Sequence, residues 1–154
     1  MGNICRSPAL AAIFLELAKK KNVHSHFYVD SAALTTFYLG QNTDYRMRQA
    51  AQKKDVVISH VARLFEKRDF SKFDYILAVN HEVKDLLEGL AQTPEERQKI
   101  LLSTAFAKNF LNQEIPDPYF HGSEAFDHVI EMAFDAARGL LEHLMLEHKI
   151  SQLK

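Results

Sequence analysis

Cysteine is nearly absent. The 154 residues contain one, Cys5, which excludes a disulfide framework and a zinc cluster built from thiolates. Neither charge sign is in excess. Nineteen Lys and Arg face twenty Asp and Glu, a net charge of -1 at pH 7. That balance excludes a generally basic nucleic-acid binder, though not a local anion site. No apolar run reaches the roughly 18 residues of a membrane span. The opening MGNICRSPAL lacks the apolar stretch of a secretory signal. Gly2 invites a check for myristoylation, but that pattern needs Ser or Thr where Arg6 stands. No repeat, low-complexity stretch or flexible linker divides the chain, and Pro8, Pro94, Pro116 and Pro118 read as punctuation. What is present, 47% hydrophobic and 25% charged residues, suits one globular domain over 1–154. The expectation is a cytoplasmic protein with no nucleic-acid or membrane partner and no cofactor. Its oligomeric state stays open.

Ser7-Pro8 predicts a helix start, with Ser7 as N-cap and Pro8 in the first turn. Leu10, Ile13, Phe14 and Leu17 follow at helical spacing, and Lys19 to Lys21 suit the negative end of the dipole. His26 to Ala32 predicts a short strand, 34–43 a loop, and Asp44 to Lys53 a polar helix. Val56 to Ile58 fits either state. Tyr75 to Val79 predicts a buried strand, His81 to Leu90 a helix, and Ile100 to Phe106 a strand-like run. A long helix follows, capped by Ser123. Phe126, Val129, Ile130, Ala133, Phe134, Ala137, Leu141, Leu144 and Met145 form its apolar stripe. Strands alternating with helices predict an α/β fold, a parallel sheet with helices on both faces. The chain opens on a loop and helix with no strand before them, whereas a phosphate loop usually follows a first strand.

The opening loop has its own chemistry. Gly2 permits a turn that a side chain would block, and Asn3 tolerates left-handed backbone. The helix start offers unpaired N–H groups and a positive dipole end. Arg6 adds a planar fork able to hold two phosphate oxygens. Gly2, Asn3, Ile4, Cys5, Arg6 and Ser7 are therefore the candidate phosphate-binding residues. A capped helix start with a solvated arginine would use the same residues. Among the eight histidines no spacing suggests a metal site; His143 and His148 are five apart, not one helix face.

The string GNICRSP resembles the signature loop, Cys-x5-Arg-Ser, of the low-molecular-weight protein tyrosine phosphatases. VDSAA at 29–33, DYR at 44–46, SHVARLF at 59–65, FDYILAVN at 73–80 and IPDPYF at 115–120 resemble further family segments in the same order. The resemblance runs from Met1 over essentially the whole chain. It implies hydrolysis of phosphotyrosine in proteins, or of small aryl phosphates, through a cysteinyl-phosphate intermediate without metal or organic cofactor. Arg6 and Asp117 are then the catalytic residues, Asp117 acting as general acid and afterwards as base on water. Ser31 and His60, with Asn3 and Ser7, would brace the loop. Phe37, Tyr119 and Phe120 would wall the pocket, where ring stacking suits phosphotyrosine. Asn80 departs from the aspartate the family often carries after this strand.

In that signature the nucleophilic cysteine stands six residues before the arginine. Counting back from Arg6 gives the position immediately before Met1. Cys5 matches the second cysteine of the family loop, which is not the phosphate acceptor but pairs with the nucleophile under oxidation. The expectation is that Met1 is an internal methionine. Roughly ten further residues, the family's first strand and the nucleophile, would precede it. Chain 1–154 alone is then expected to be inactive. Two other readings use the same residues. One is a non-catalytic module that binds phosphate or phosphotyrosine. The other is arsenate reductase, which shares this fold family but relays a disulfide through cysteines this chain lacks.

Overall fold

In the computed structural model, which describes residues 2–151, α1 (Arg6–Lys20) begins directly after a tight bend at Asn3–Cys5. Met1 lies outside the described residues. A short 3-10 turn (His24–His26) precedes an extended stretch. Then come α2 (Tyr45–Gln52), α3 (Asp69–Lys72), β1 (Ile76–Ala78), α4 (His81–Leu90), α5 (Pro94–Gln98), β2 (Ile100–Leu102) and α6 (Ser123–Glu147). The two strands run parallel, Ile76 opposite Ile100 and Ala78 opposite Leu102, with α4 and α5 in the crossover. This is the expected α/β arrangement. Ile76, Ala78, Ile100 and Leu102 are buried, as strands covered by helices require.

The periodic segments fold as their patterns predict. α6 buries Phe126, Val129, Ile130, Ala133, Ala137, Leu141 and Leu144, while Phe134 and Met145 pack partly exposed at the margin. It packs along α1 and α2. Ile13, Met47, Val129 and Leu141 are fully enclosed, each such burial contributing about 1.5–3 kcal/mol. Asp135 is a buried acid on the same helix. Its carboxylate accepts backbone N–H bonds from Lys108 (3.3 Å), Asn109 (2.9 Å) and Phe110 (2.9 Å), pinning the loop after β2.

Several local expectations need correction. Helix α1 starts at Arg6 with Cys5 as its cap residue, so Ser7 lies inside the first turn, where its hydroxyl accepts from Asn3. Ser123 is the first residue of α6 rather than its cap; Gly122 holds that place without a side-chain bond. Phe27 has extended backbone angles, but Phe27 to Ala32 joins no strand ladder among the described residues. The stretch is held instead by packing, with Phe27 edge-on to Phe14 at 5.1 Å. Past Leu102 the strand-like run breaks into turns. Pro94 opens a short helix, with Thr93 as cap accepting from Glu96 N–H at 3.1 Å.

Candidate active site

The start of α1 faces a cleft of about 110 Å³ lined by Gly2 to Ser7, with Ala32, Leu77, Tyr38, Asp117, Tyr119 and Phe120 around it. The first-turn amides of α1 have no helical carbonyl to bond, so they remain donors at its lining. Asn3 sits at φ 63°, a left-handed conformation that few side chains tolerate. Its side chain is fully engaged. Nδ2 donates to the Ser7 hydroxyl at 2.7 Å and the Ser31 hydroxyl at 2.9 Å. Oδ1 lies 2.6 Å from His60 Nε2, which therefore carries the proton. His60 Nε2 is also 3.2 Å from the Ser31 hydroxyl. Asn3, Ser7, Ser31 and His60 thus meet around one amide. Burial lowers the His60 pKa below its ordinary value against the pull of Asp30, with Arg63 adding to the decrease.

A further brace comes from Arg63 and Asp30, which lie in the SHVARLF and VDSAA segments but have no role assigned from the sequence. Arg63 donates from Nε to Asp30 at 2.8 Å and from Nη1 to the buried Asp69 at 3.0 Å. Asp30 in turn accepts from the Ser31 backbone N–H at 2.8 Å. The bridge ties the extended stretch to α3 beneath the cradle.

Arg6 is 8% exposed. Nη1 donates to the Ile115 carbonyl at 2.9 Å, and Nη2 lies 4.0 Å from Asp117 Oδ2. Burial lowers its pKa from the ordinary arginine value, with Asp117 the first opposing influence; an arginine remains a cation there. The Ile115 N–H donates to Val79 O at 2.9 Å, fastening the Pro116–Pro118 loop just beyond β1. Asp117 Oδ1 accepts from the Tyr119 N–H at 3.1 Å, and its side chain keeps 56% exposure. A restrained carboxylate thus stands opposite the arginine, open to a ligand.

The pocket aromatics divide. Tyr119 and Phe120 line the cleft beside the cradle. Phe37, 79% exposed, lines an adjoining hollow of about 480 Å³ with Asn80, Glu82 and Glu114. Asn80 caps α4, its Oδ1 accepting from the Val83 N–H at 2.8 Å. Tyr38, which sequence reasoning missed, lies against Gly2. A Cβ at Gly2 would stand 2.4 Å from the Tyr38 ring, so glycine is required for this approach. Tyr38 also meets Tyr119, ring centres 5.8 Å apart. Its only sequence signal is an aromatic adjacent to Phe37 in an aperiodic loop. Asp44 also contributes, capping α2 and gripping Arg46 at two points. Burial alone would raise its carboxyl pKa, but hydrogen bonds from Arg46 bring the net shift down.

Cys5 is buried. Burial first, then Asp44 and Asp117, push its thiol up to about 12. At pH 8 that leaves roughly one thiolate in ten thousand, against about a quarter for a free thiol. Cys5 should therefore react with a disulfide reagent such as DTNB at least about a hundredfold more slowly than a small thiol at pH 8. A rate matching the free thiol would overturn this placement.

An amide-lined bend, a buried arginine fork and a facing carboxylate define a phosphate-handling α/β protein. A family profile for low molecular weight phosphotyrosine protein phosphatase matches residues 1–150. The chain belongs to that family of phosphotyrosine protein phosphatases. It is 34% identical to the low molecular weight phosphotyrosine protein phosphatase of Gallus gallus over 145 residues, 92% of this chain and 90% of that one. The crystal structure of a protein tyrosine phosphatase from Entamoeba histolytica matches with a TM-score of 0.90 at 30% identity, over 97% of this chain and 94% of that one. A Drosophila arginine phosphatase matches with a TM-score of 0.86 at 31% identity, over 94% and 93% of the two chains. Among the described residues no helix is long and apolar enough to cross a membrane, and no three His, Cys, Asp or Glu are grouped to hold a metal.

Proposed function

We propose that residues 2–7 and Asp117 are the phosphate cradle and general acid of a phosphotyrosine hydrolase whose nucleophilic cysteine immediately precedes Met1. The observation that carries this reading is the approach of Arg6 to Asp117 across one cleft, 4.0 Å apart, by motifs remote from each other in the sequence. A pure phosphate binder gains nothing from a carboxylate facing the bound anion, whereas phosphoryl transfer needs an acid there.

The chemistry follows from these positions. The thiolate attacks phosphorus as the ester P–O bond breaks, and loop amides with Arg6 hold the phosphoryl oxygens while charge shifts among them. Asp117 gives its proton to the departing phenolate. It then takes a proton from the water that attacks the cysteinyl phosphate, releasing phosphate and restoring the thiolate. Cys5, held protonated, takes no part as nucleophile. Tyr119, Phe120, Tyr38 and Phe37 supply ring surfaces for an aryl ester. A nucleophilic thiolate close to the free Cys5 needs a reducing compartment, which supports a cytoplasmic assignment.

The test is turnover by the chain extended with the segment its gene encodes in frame before Met1. Phosphotyrosine peptides and aryl phosphates are expected to be hydrolysed, phosphoserine and phosphoarginine poorly, with phosphocysteine trapped on the added residue. Asp117→Asn should lower kcat on the order of a hundredfold. An unchanged rate would remove Asp117 from the mechanism. Aryl-phosphate binding without turnover would instead make the protein a binding module.

A further inference from the structure

Arg46 lies outside the cradle and outside the acid loop, yet its neighbours belong to both. The Asp44 N–H donates to the Ile4 carbonyl in the cradle at 2.7 Å. The Asp44 carboxylate then grips the Arg46 guanidinium, Nε to Oδ1 at 3.1 Å and Nη2 to Oδ2 at 3.0 Å. The Arg46 N–H adds a third bond to the same carboxylate at 2.9 Å. So fixed, the guanidinium carbon lies 4.5 Å from the Phe126 ring centre and 5.2 Å from that of Tyr119. Phe126 is 1% exposed, an immobile part of α6. Tyr119 is half-buried, one of the rings beside the cradle, and its N–H holds Asp117.

A guanidinium suits this junction because its edge pairs with a carboxylate while its faces meet rings. An ammonium has no such edge and face. We propose that Arg46 is a positioning residue for the aromatic wall: tied to the cradle through Asp44 and braced on Phe126, it sets where the Tyr119 ring stands and so confers preference for aryl over non-aromatic phosphates. This rests on the phosphatase reading of the cleft. Nothing in it requires Arg46 to touch substrate.

The test compares binding of phenylphosphonate and inorganic phosphate to the 154-residue chain by NMR titration, which needs no turnover. The unsubstituted chain should bind the aryl ligand more tightly. Arg46→Lys keeps the charge near the cradle but loses the two-point grip and stacking. The ratio of the two affinities should fall about fivefold. Asp44→Asn, which keeps the helix cap but weakens the grip, should lower the ratio in the same direction. Tyr119→Leu should lower it as well, and adding Arg46→Lys to Tyr119→Leu should lower it no further.

An unchanged ratio in Arg46→Lys overturns the proposal. So does an equal loss of both ligands, which marks a charge or folding role, and so do additive losses in the double variant. An unsubstituted chain with no aryl preference overturns the proposal while leaving the phosphatase reading intact. An unsubstituted chain that binds neither ligand removes both.

Discussion

Arg6→Ala is expected to weaken phosphate and phenylphosphonate binding on the order of a thousandfold. Two charge-assisted hydrogen bonds from one guanidinium contribute about 1.5–3 kcal/mol each. Together they span roughly a hundredfold to ten-thousandfold in affinity. Aryl and inorganic ligands should lose alike, because Arg6 meets the phosphoryl end they share. The substitution also removes the donor to the Ile115 carbonyl, a buried group whose unmet bond costs about 1–3 kcal/mol. The acid loop should loosen accordingly, although the Ile115 bond to Val79 stays. Arg6→Lys should recover little, since a point charge does not reproduce the planar fork. Calorimetric titration of both variants with phosphate checks this. Affinity within threefold of the unsubstituted chain would remove Arg6 from the site.

The second large effect lies far from the cleft and runs against helix propensity. Alanine normally improves on glycine inside a helix by about 1 kcal/mol. At Gly139 in α6 it should do the opposite. A Cβ there would stand 1.8 Å from the Phe106 carbonyl oxygen and 2.5 Å from its carbon. Both are backbone atoms, in the loop that Asp135 holds one helical turn away. The loop cannot retreat without breaking those bonds. Overpacking costs about 1–3 kcal/mol and at times more; a backbone contact this short belongs at about 3 kcal/mol, so after the gain of about 1 kcal/mol from propensity Gly139→Ala should lose about 2 kcal/mol net. For a chain of this size that lowers Tm by roughly 4–8 °C. Gly89 in α4 has nothing within 4 Å of its added Cβ, and Gly89→Ala should raise Tm instead. A thermal melt of each variant decides. An unchanged or higher Tm for Gly139→Ala would show that the loop yields.

What the sequence disclosed follows a physical division. Where a segment's own spacing decides its fate, the pattern suffices: His81–Leu90 is helical as the spacing of Val83, Leu86 and Leu87 predicts, although Leu86 is left exposed, and the α6 stripe is mostly core. The parallel strands are shorter than the apolar runs containing them, because pairing ends where the chain turns. Phe27–Ala32 has strand-like residues, yet strand formation is decided by a neighbour, which no local pattern reveals. Ser7 and Ser123 are not caps because each helix starts earlier than the motif suggests. A capping motif tells which residues could cap, while Asn3 claims the Ser7 hydroxyl from outside the helix. At the site, the residues carried by contiguous motifs, Arg6, Asn3 and Asp117, were visible as motifs. Arg46 and Arg63 lie within the DYR and SHVARLF segments without an assigned role, and Tyr38 and Asp69 lie in no motif. Their roles exist only through partners remote in the chain or through ring contacts in loops without period.

The unladdered stretch has a consequence for how the molecule breathes. Backbone without sheet bonds opens at lower free energy than the helices it lies against. Asp30 and Ser31 are in that stretch, and between them they hold Asn3, approach His60 and anchor Arg63. Each local opening there withdraws the brace from a left-handed asparagine while α6 and the core stay closed. In the 154-residue chain the lifetime of that brace is then set by a few residues rather than by the core. Stability measured on the whole fold will overstate it, and amide exchange at 27–32 is the quantity that reports it.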